Sequence, residues 1–365
     1  MKITKVEPIL VAVPYEHGAP KPMRHGVGAW DTQDILFVRV ETDAGITGWG
    51  EAFSNSSSPV TVPAIAKIIA PLAVGRDPRD IAGLMRELTR RTQSIARSGP
   101  VAFALSGLDI ALWDIAGKIA GAPVWKLLGG APRDSLEAYA SLYRLTAPEY
   151  VTKVSGAAVA RGYRHVKLHE HSVEAVAAAR GAVGPDVSLM ADVNCHWDTI
   201  EDVVAFCRGA EKHGLAWLEE PLFPVDRYDM LADLRGRVTI PLAVGENLGN
   251  AHDARWLGRA ADIVQPSVAK IGGVSGAWET IRYLRGEGVR VVPHSPFTGP
   301  ALVATIHLIA AMNEDVMCEH RFCDLAASPI GDCVLARDGR IAVPKGPGLG
   351  FEVDEAIIAK YRREL

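Results

Sequence analysis

The 365-residue chain has little cysteine: Cys195, Cys207, Cys318, Cys323 and Cys333, an odd number with no CxxC pair and no finger-like spacing. That excludes a disulfide scaffold and a thiolate zinc site, and the thiols read as buried ones in a cytoplasmic protein. Charge of one sign is also missing. Thirty-nine Lys and Arg against 43 Asp and Glu leave a net charge of -4, which offers no basic footprint for nucleic acid or an anionic membrane. The longest apolar run, residues 301–312, contains His307 and is too short to span a bilayer. The N-terminus, MKITKVEPILVAVP, reads as a strand stopped by proline, without the apolar core and cleavage site of a signal peptide. What remains, 48% hydrophobic and 22% charged residues, suits a soluble globular enzyme, and the length calls for two structural units.

Residues 2–13, 34–41 and 46–53 carry strand signals, the last two joined by a turn at Thr42-Asp43-Ala44-Gly45. Between the first two, residues 17–33 are rich in Gly, Pro and His and read as a long surface loop of the lid or binding kind. Residues 61–97 read as two helices, the second opening at Asp77-Pro78. A further helix spans 102–121, with Leu105, Leu108, Leu112, Ile115 and Ile119 on one apolar face. From residue 135 the pattern becomes a strict alternation of strand and helix. The strands fall at 136–142, 165–169, 188–194, 216–220, 241–246, 262–267, 290–295 and 316–320. Eight strands with seven intervening helices predict a TIM barrel. The tail, 340–365, is strand-like, then rich in Pro and Gly, then helical, and is expected to return to the N-terminal unit.

The C-terminal ends of barrel strands build active sites, and here they carry an unusual set. Strand two ends in Lys167-Leu168-His169, strand three in Asp192-Val193-Asn194, strand four in Glu219-Glu220-Pro221 and strand five in Gly245-Glu246-Asn247. Strand seven ends in His294 and strand eight in Glu319-His320. Asp192, Glu219 and Glu246 stand 27 residues apart, one strand–helix unit each. Three carboxylates at one depth repel strongly unless a cation sits among them. Hard oxygen ligands in an incomplete shell favour Mg²⁺. The plainer alternative, rim charges paired with neighbouring Lys or Arg, fits one such residue better than three in succession. Lys167, His169 and His294 flank the carboxylates and can move a proton at neutral pH. A cation beside a base is the minimum apparatus for removing a proton next to a carboxylate.

Residues 104–118, ALSGLDIALWDIAGK, followed by APVWKLLG at 122–129, resemble the helix signature of the mandelate racemase and muconate lactonising families of the enolase superfamily. Asp192-Val193-Asn194, Leu218-Glu219-Glu220-Pro221, Gly245-Glu246-Asn247 and Lys270-Ile271-Gly272-Gly273 resemble the later barrel motifs. His294 with Gly245-Glu246-Asn247 points to the mandelate racemase subgroup. The resemblance implies an α/β protein: a modified (β/α)-barrel at 126–335 under an α+β capping domain formed by both termini, residues 1–125 and 336–365. It implies Mg²⁺ held by Asp192, Glu219 and Glu246, catalytic Lys167, His169 and His294, and a homo-oligomer, dimer or octamer. Asn194 and Glu319 match positions that hold the substrate carboxylate. Arg24, His25, Ser141 and Lys270 are further candidates for substrate contact, as are Arg144 and His171. Residues 17–33 and 54–58 match the loops that close over the substrate.

Two departures stand out. The family's Lys-x-Lys at strand two is here Lys167-x-His169, which puts His169 at the base position. The family's Gln-Pro-Asp at strand six is here Gln265-Pro266-Ser267. Ser267, at the position of the dyad aspartate, removes the carboxylate that would stabilise a His294 imidazolium and leaves a hydroxyl able to accept a bond from the ring. The expected activity is Mg-dependent enolisation of a small carboxylic acid by α-proton abstraction, as a lyase that dehydrates an acid sugar or hydroxy acid. The alternatives are a racemase or epimerase acting by 1,1-proton transfer, and a metal-retaining binder without turnover. No nucleic acid or membrane partner is expected.

Overall fold

A computed structural model of the chain describes residues 1–20, 23–24 and 29–364, with only the backbone at 23, 24, 29 and 30. The N-terminal strand Ile3–Glu16 pairs antiparallel with Thr32–Thr42, which pairs with Thr47–Ala52. The predicted turn closes as Thr42 N–H bonds Ile46 O and Gly45 N–H bonds Thr42 O, with Gly45 at φ +74°. The loop between the first two strands is shorter than expected. His17 is buried, Gln33 lies inside a strand, and Met23–Arg24 pairs with Ala29–Trp30 as a small ribbon.

The helix Pro100–Ala120 packs on this sheet at a distance only glycine permits. A Cβ on Gly50 would sit 2.0 Å from Gly107 O, and one on Gly48 2.3 Å from Ala111 O. The helix is buried on nearly every side rather than along one stripe. Ile119, expected in the core, is 43% exposed because the last turn is open to solvent. By length and composition this is the one helix among the described residues able to cross a membrane, yet 78% of its apolar stretch is buried inside the protein.

The first of the two preceding helices runs from Ser58–Pro63 through a π-helical turn, Ala64–Ile69, into Ala70–Ala73. Pro71 has no N–H to return to Lys67, and the chain takes the wider turn instead, with Ala70 N–H reaching Ile65 O. The second opens at Ile81 rather than Asp77-Pro78. Asp80 caps it by accepting from Gly83 N at 2.9 Å, while Asp77 pairs with Arg79.

All eight barrel strands form: Ser135–Ser141, His165–Leu168, Ser188–Asp192, Leu215–Glu219, Leu242–Val244, Ile263–Val264, Arg290–Val291 and Cys318–Arg321. Each pairs parallel with the next from the first to the seventh, and the eighth returns to the first. Among the described residues no ladder joins the seventh and eighth. Ser295 bridges them, with its N–H on Glu319 Oε2 and its hydroxyl on Glu319 O. The tail first adds Arg340–Ala342 to the start of the first barrel strand, then reaches the N-terminal sheet, where Arg363 N–H bonds Leu10 O.

Side chains alternate along a strand, so inward positions recur every second residue. Tyr139, Met190, Trp217, Ile263 and Val292 form an apolar plug inside the barrel. Two residues further along the same strands stand Ser141, Asp192, Glu219, Gln265 and His294, all buried. The polar layer is one pleat above the plug, at the C-terminal mouth.

Candidate active site

Asp192, Glu219 and Glu246 converge until one oxygen of each lies within 4.8 Å of the others. Backbone and side-chain donors aim them. Glu219 Oε2 accepts from Trp217 Nε1 and Gln265 Nε2, each at 3.0 Å, and Asp192 Oδ1 accepts from Asn194 Nδ2 at 2.9 Å. Lys167 is wholly buried, its ammonium 2.7 Å from Glu219 Oε1, 2.9 Å from Glu319 Oε1 and 3.4 Å from Asp192 Oδ2. Burial opposes its charge, but Glu219 and Glu319 outweigh that and hold it well above the usual lysine range. Glu246 lies 2.9 Å from His294 Nε2 and 3.5 Å from Lys270 Nζ. Burial works against its ionisation too, and His294 with Lys270 nevertheless keeps the carboxyl well below its ordinary value.

His169 stands on one side of the carboxylates, with Nε2 3.2 Å from Asp192 Oδ2. Its Nδ1 meets Leu142 O. A carbonyl accepts only, so that contact places a proton on Nδ1 and turns Nε2 toward Asp192 and the site. On the other side is His294. Ser267 pairs with it as an isolated backbone bridge, yet the bond expected between hydroxyl and ring does not form. His294 Nδ1 and Ser267 Oγ are both buried without a partner, because the ring turns its other nitrogen to Glu246. Ser141 Oγ is likewise buried and unpartnered beside Lys167 in the strand ladder. Glu319 spends one oxygen on Ser295 N–H and the other on Lys167. Lys270 bonds Asn247 Oδ1 at 3.1 Å. His25 and the Arg24 side chain lie outside the described residues.

Residues 149–357 match the enolase C-terminal domain-like family, and residues 9–129 match the mandelate racemase / muconate lactonizing enzyme N-terminal domain. The chain belongs to the mandelate racemase/muconate lactonizing enzyme family. It is 32% identical over 391 residues to D-galactarolactone cycloisomerase of Agrobacterium fabrum, covering 99% of each chain. It is also 32% identical over 333 residues to L-talarate/galactarate dehydratase of Salmonella typhimurium, covering 88% of this chain and 81% of that one. Among solved structures it resembles the mandelate racemase/muconate lactonizing protein of Paracoccus denitrificans complexed with magnesium. That match has TM-score 0.87 and 27% identity, over 100% of this chain and 99% of the other. Family membership makes the chain an enzyme of the lyase or isomerase kind, with a capping domain over a TIM barrel.

The donor set fits a divalent metal of this family. Two buried carboxylates and a partly buried third bring one oxygen each within 4.8 Å of the others, a hard-oxygen set that suits a divalent cation. Asn194 Oδ1, beside Asp192, is buried without a partner and adds an oxygen to the same wall.

Several residues that brace the candidate site were not singled out from the sequence. Glu220, buried and at φ +45°, accepts from Gly245 N at 2.8 Å and so holds the backbone that presents Glu246. From the capping sheet, Glu51 Oε2 accepts from Ala301 N at 2.8 Å and fixes the helix that follows the His294 loop. Phe53, two residues on, lies under the Lys270 ammonium at 4.3 Å and meets Phe297 edge-on. The two-residue step from Glu51 to Phe53 was the available signal, but which sheet face meets the barrel is not written in the strand itself.

Proposed function

We propose that the protein abstracts the α-proton of an acid sugar and eliminates the β-hydroxyl, a Mg²⁺-dependent dehydration. In this reading Asp192, Glu219 and Glu246 hold the cation, and residues 1–125 and 336–365 cap the barrel at 126–335. The observation that carries it is the convergence of those carboxylates with a histidine against each end, His169 on Asp192 and His294 on Glu246. A bound divalent cation would supply positive charge to the carboxylate oxygens as negative charge develops there. The chain's own groups do the rest. His169 takes the α-proton at Nε2, its ring held by Nδ1–H on Leu142 O. Lys167 supports the substrate carboxylate from beneath, with Asn194, Ser141 and Glu319 around it. His294 or the newly protonated His169 delivers a proton to the departing hydroxyl, and the fixed ring positions keep that transfer local. Dehydratase relatives support the choice of reaction.

The test is a panel of acid sugars with Mg²⁺, assayed for the dehydrated 2-keto product, on wild type and His169→Asn. Product from at least one acid, lost with chelator and reduced about 100-fold or more in the variant, is the expected result. Metal-independent product, or an unimpaired variant, would sink the proposal.

A further inference from the structure

Beyond the proton-transfer groups, the mouth of the barrel carries a second cluster, contributed by the loops after strands one, two and three. Arg144 lies just past the first strand, His171 past the second and His196 past the third. The rings of His171 and His196 stack at 3.8 Å with 12° between their planes. The backbone is bent to bring them together: Asn194 and Cys195 both take the left-handed conformation, at φ +48° and +57°, and turn His196 back toward strand two. Arg144 is anchored by Nε on His169 O at 2.9 Å, which ties the cluster to the backbone of the proposed base.

What the cluster lacks is an acid. Among the described residues no carboxylate pairs with Arg144, His171 or His196. Two acids on the neighbouring turns are committed elsewhere. Glu170 accepts from Thr146 N at 3.0 Å and from Leu145 N, and Glu220 accepts from Gly245 N. The terminal nitrogens of Arg144 have no partner of their own among those residues. Burial first, then His196 and Arg144, push His171 toward its neutral form. Three donor-bearing groups that nothing in the chain neutralises form a receptor for an anion. Arg144 suits a carboxylate because its planar fork can offer two parallel N–H bonds.

We infer that Arg144, His171 and His196 bind a second carboxylate at the far end of the substrate, making the preferred substrate a dicarboxylic acid sugar. This rests on the dehydration reading above, since it presumes that the first carboxylate lies at the Asp192–Glu219–Glu246 site. Arg144 takes the distal carboxylate by its free terminal nitrogens, and the imidazole N–H groups close the shell. A sugar acid ending in a hydroxymethyl group leaves Arg144 without its ion-pair partner, a larger penalty than the loss of one neutral hydrogen bond.

The experiment compares pairs of six-carbon acids that differ only at that end, such as galactarate against galactonate, with Mg²⁺ and the full-length enzyme. The expected kcat/KM ratio favours the dicarboxylate by about tenfold or more. Arg144→Gln and, separately, His171→Phe, which keeps the stacking ring, should collapse that ratio toward one, mainly through KM of the dicarboxylate. A wild-type enzyme that turns over monocarboxylates as well as dicarboxylates overturns the inference while leaving the dehydration reading intact. So does a pair of variants that lowers both substrates equally, the mark of disturbed His169 rather than lost recognition. If no acid of either kind is turned over, the underlying reading falls and this inference falls with it.

Discussion

At the residue scale, two buried titratable groups outside the carboxylate cluster give the fold opposite responses to pH. Glu51 is buried where the capping sheet meets the barrel, and burial pushes its carboxyl up from 4.5 to about 8. The folded state therefore keeps a proton that the unfolded chain releases near pH 4.5. The stability this contributes is complete below that value and is lost as pH rises through about 8. Glu51→Gln retains an acceptor for Ala301 N and cannot ionise. Denaturation at pH 6 and pH 9 should show wild type losing stability on the order of a few kcal/mol that the variant keeps. A wild type as stable at pH 9 as at pH 6 would refute it.

His307 works the other way. Its ring accepts from Trp125 N and meets Leu349 O, and burial pushes it down to about 4. The neutral ring is favoured in the fold, so stability is complete above the unfolded value near 6.5 and is lost as pH falls toward 4. Replacing it with Gln should flatten the acid limb of a stability–pH profile by about 3 kcal/mol.

Ser267 bears on the reaction itself. Racemisation needs each station to alternate between acid and base, whereas a one-way dehydration can use one station twice. Ser267→Asp would place a carboxylate on the unpartnered Nδ1 side of His294. Under dehydration, turnover should change less than about threefold or fall. A large gain in proton exchange in both directions, with no dehydrated product, would favour racemisation instead.

At the scale of elements, the strand–helix alternation from residue 135 onward was legible because the barrel strands are short and largely apolar and give way to polar residues at or just past their ends, as Ser188–Asp192 shows. The convergence of Asp192, Glu219 and Glu246 was legible for the same reason: equal spacing puts equal depth on adjacent strands. The contacts made by those side chains were not. That His294 would face Glu246 and leave Ser267 unbonded depends on ring rotation, which no spacing encodes. Nor did periodicity distinguish a one-sided helix from Pro100–Ala120, buried on nearly all sides, since both carry leucine at helical spacing. The distinguishing signal was small residues. Gly107 lets the sheet approach, and the matching Gly50 allows no side chain. Gly50→Ala should cost about 3 kcal/mol or prevent folding, because its Cβ would lie 2.0 Å from Gly107 O. Gly181→Ala, on a helix with nothing within 4 Å, is the control and should stabilise by about 0.5–1 kcal/mol. Thermal denaturation of the two variants side by side checks both signs.

At the scale of the whole molecule, the capping sheet is part of the catalytic architecture rather than a lid laid on it. Asp114 accepts from Trp49 N in the sheet and from Leu349 N in the tail, while pairing with Lys118. Glu51 and Phe53 carry the same sheet onto the His294 loop and Lys270. The N-terminal sheet therefore reaches the mouth of the barrel, and the tail braces the helix behind that sheet. Of the proposed distal subsite, Arg144 and His171 were legible as candidates for substrate contact, whereas His196 was not, because its place against His171 depends on the left-handed turn at Asn194 and Cys195.

In the proposed dehydration the hydrogen next to the substrate carboxylate is removed as a proton, with metal bound by Asp192, Glu219 and Glu246. Proton NMR in D₂O on an acid sugar, with Mg²⁺ and then with chelator, follows that hydrogen directly. Its signal should be lost to solvent, and deuterium should enter the adjacent carbon of the product. Both should stop on chelation and in Glu219→Gln. Product that still carries the original hydrogen, or exchange that continues without metal, would contradict it.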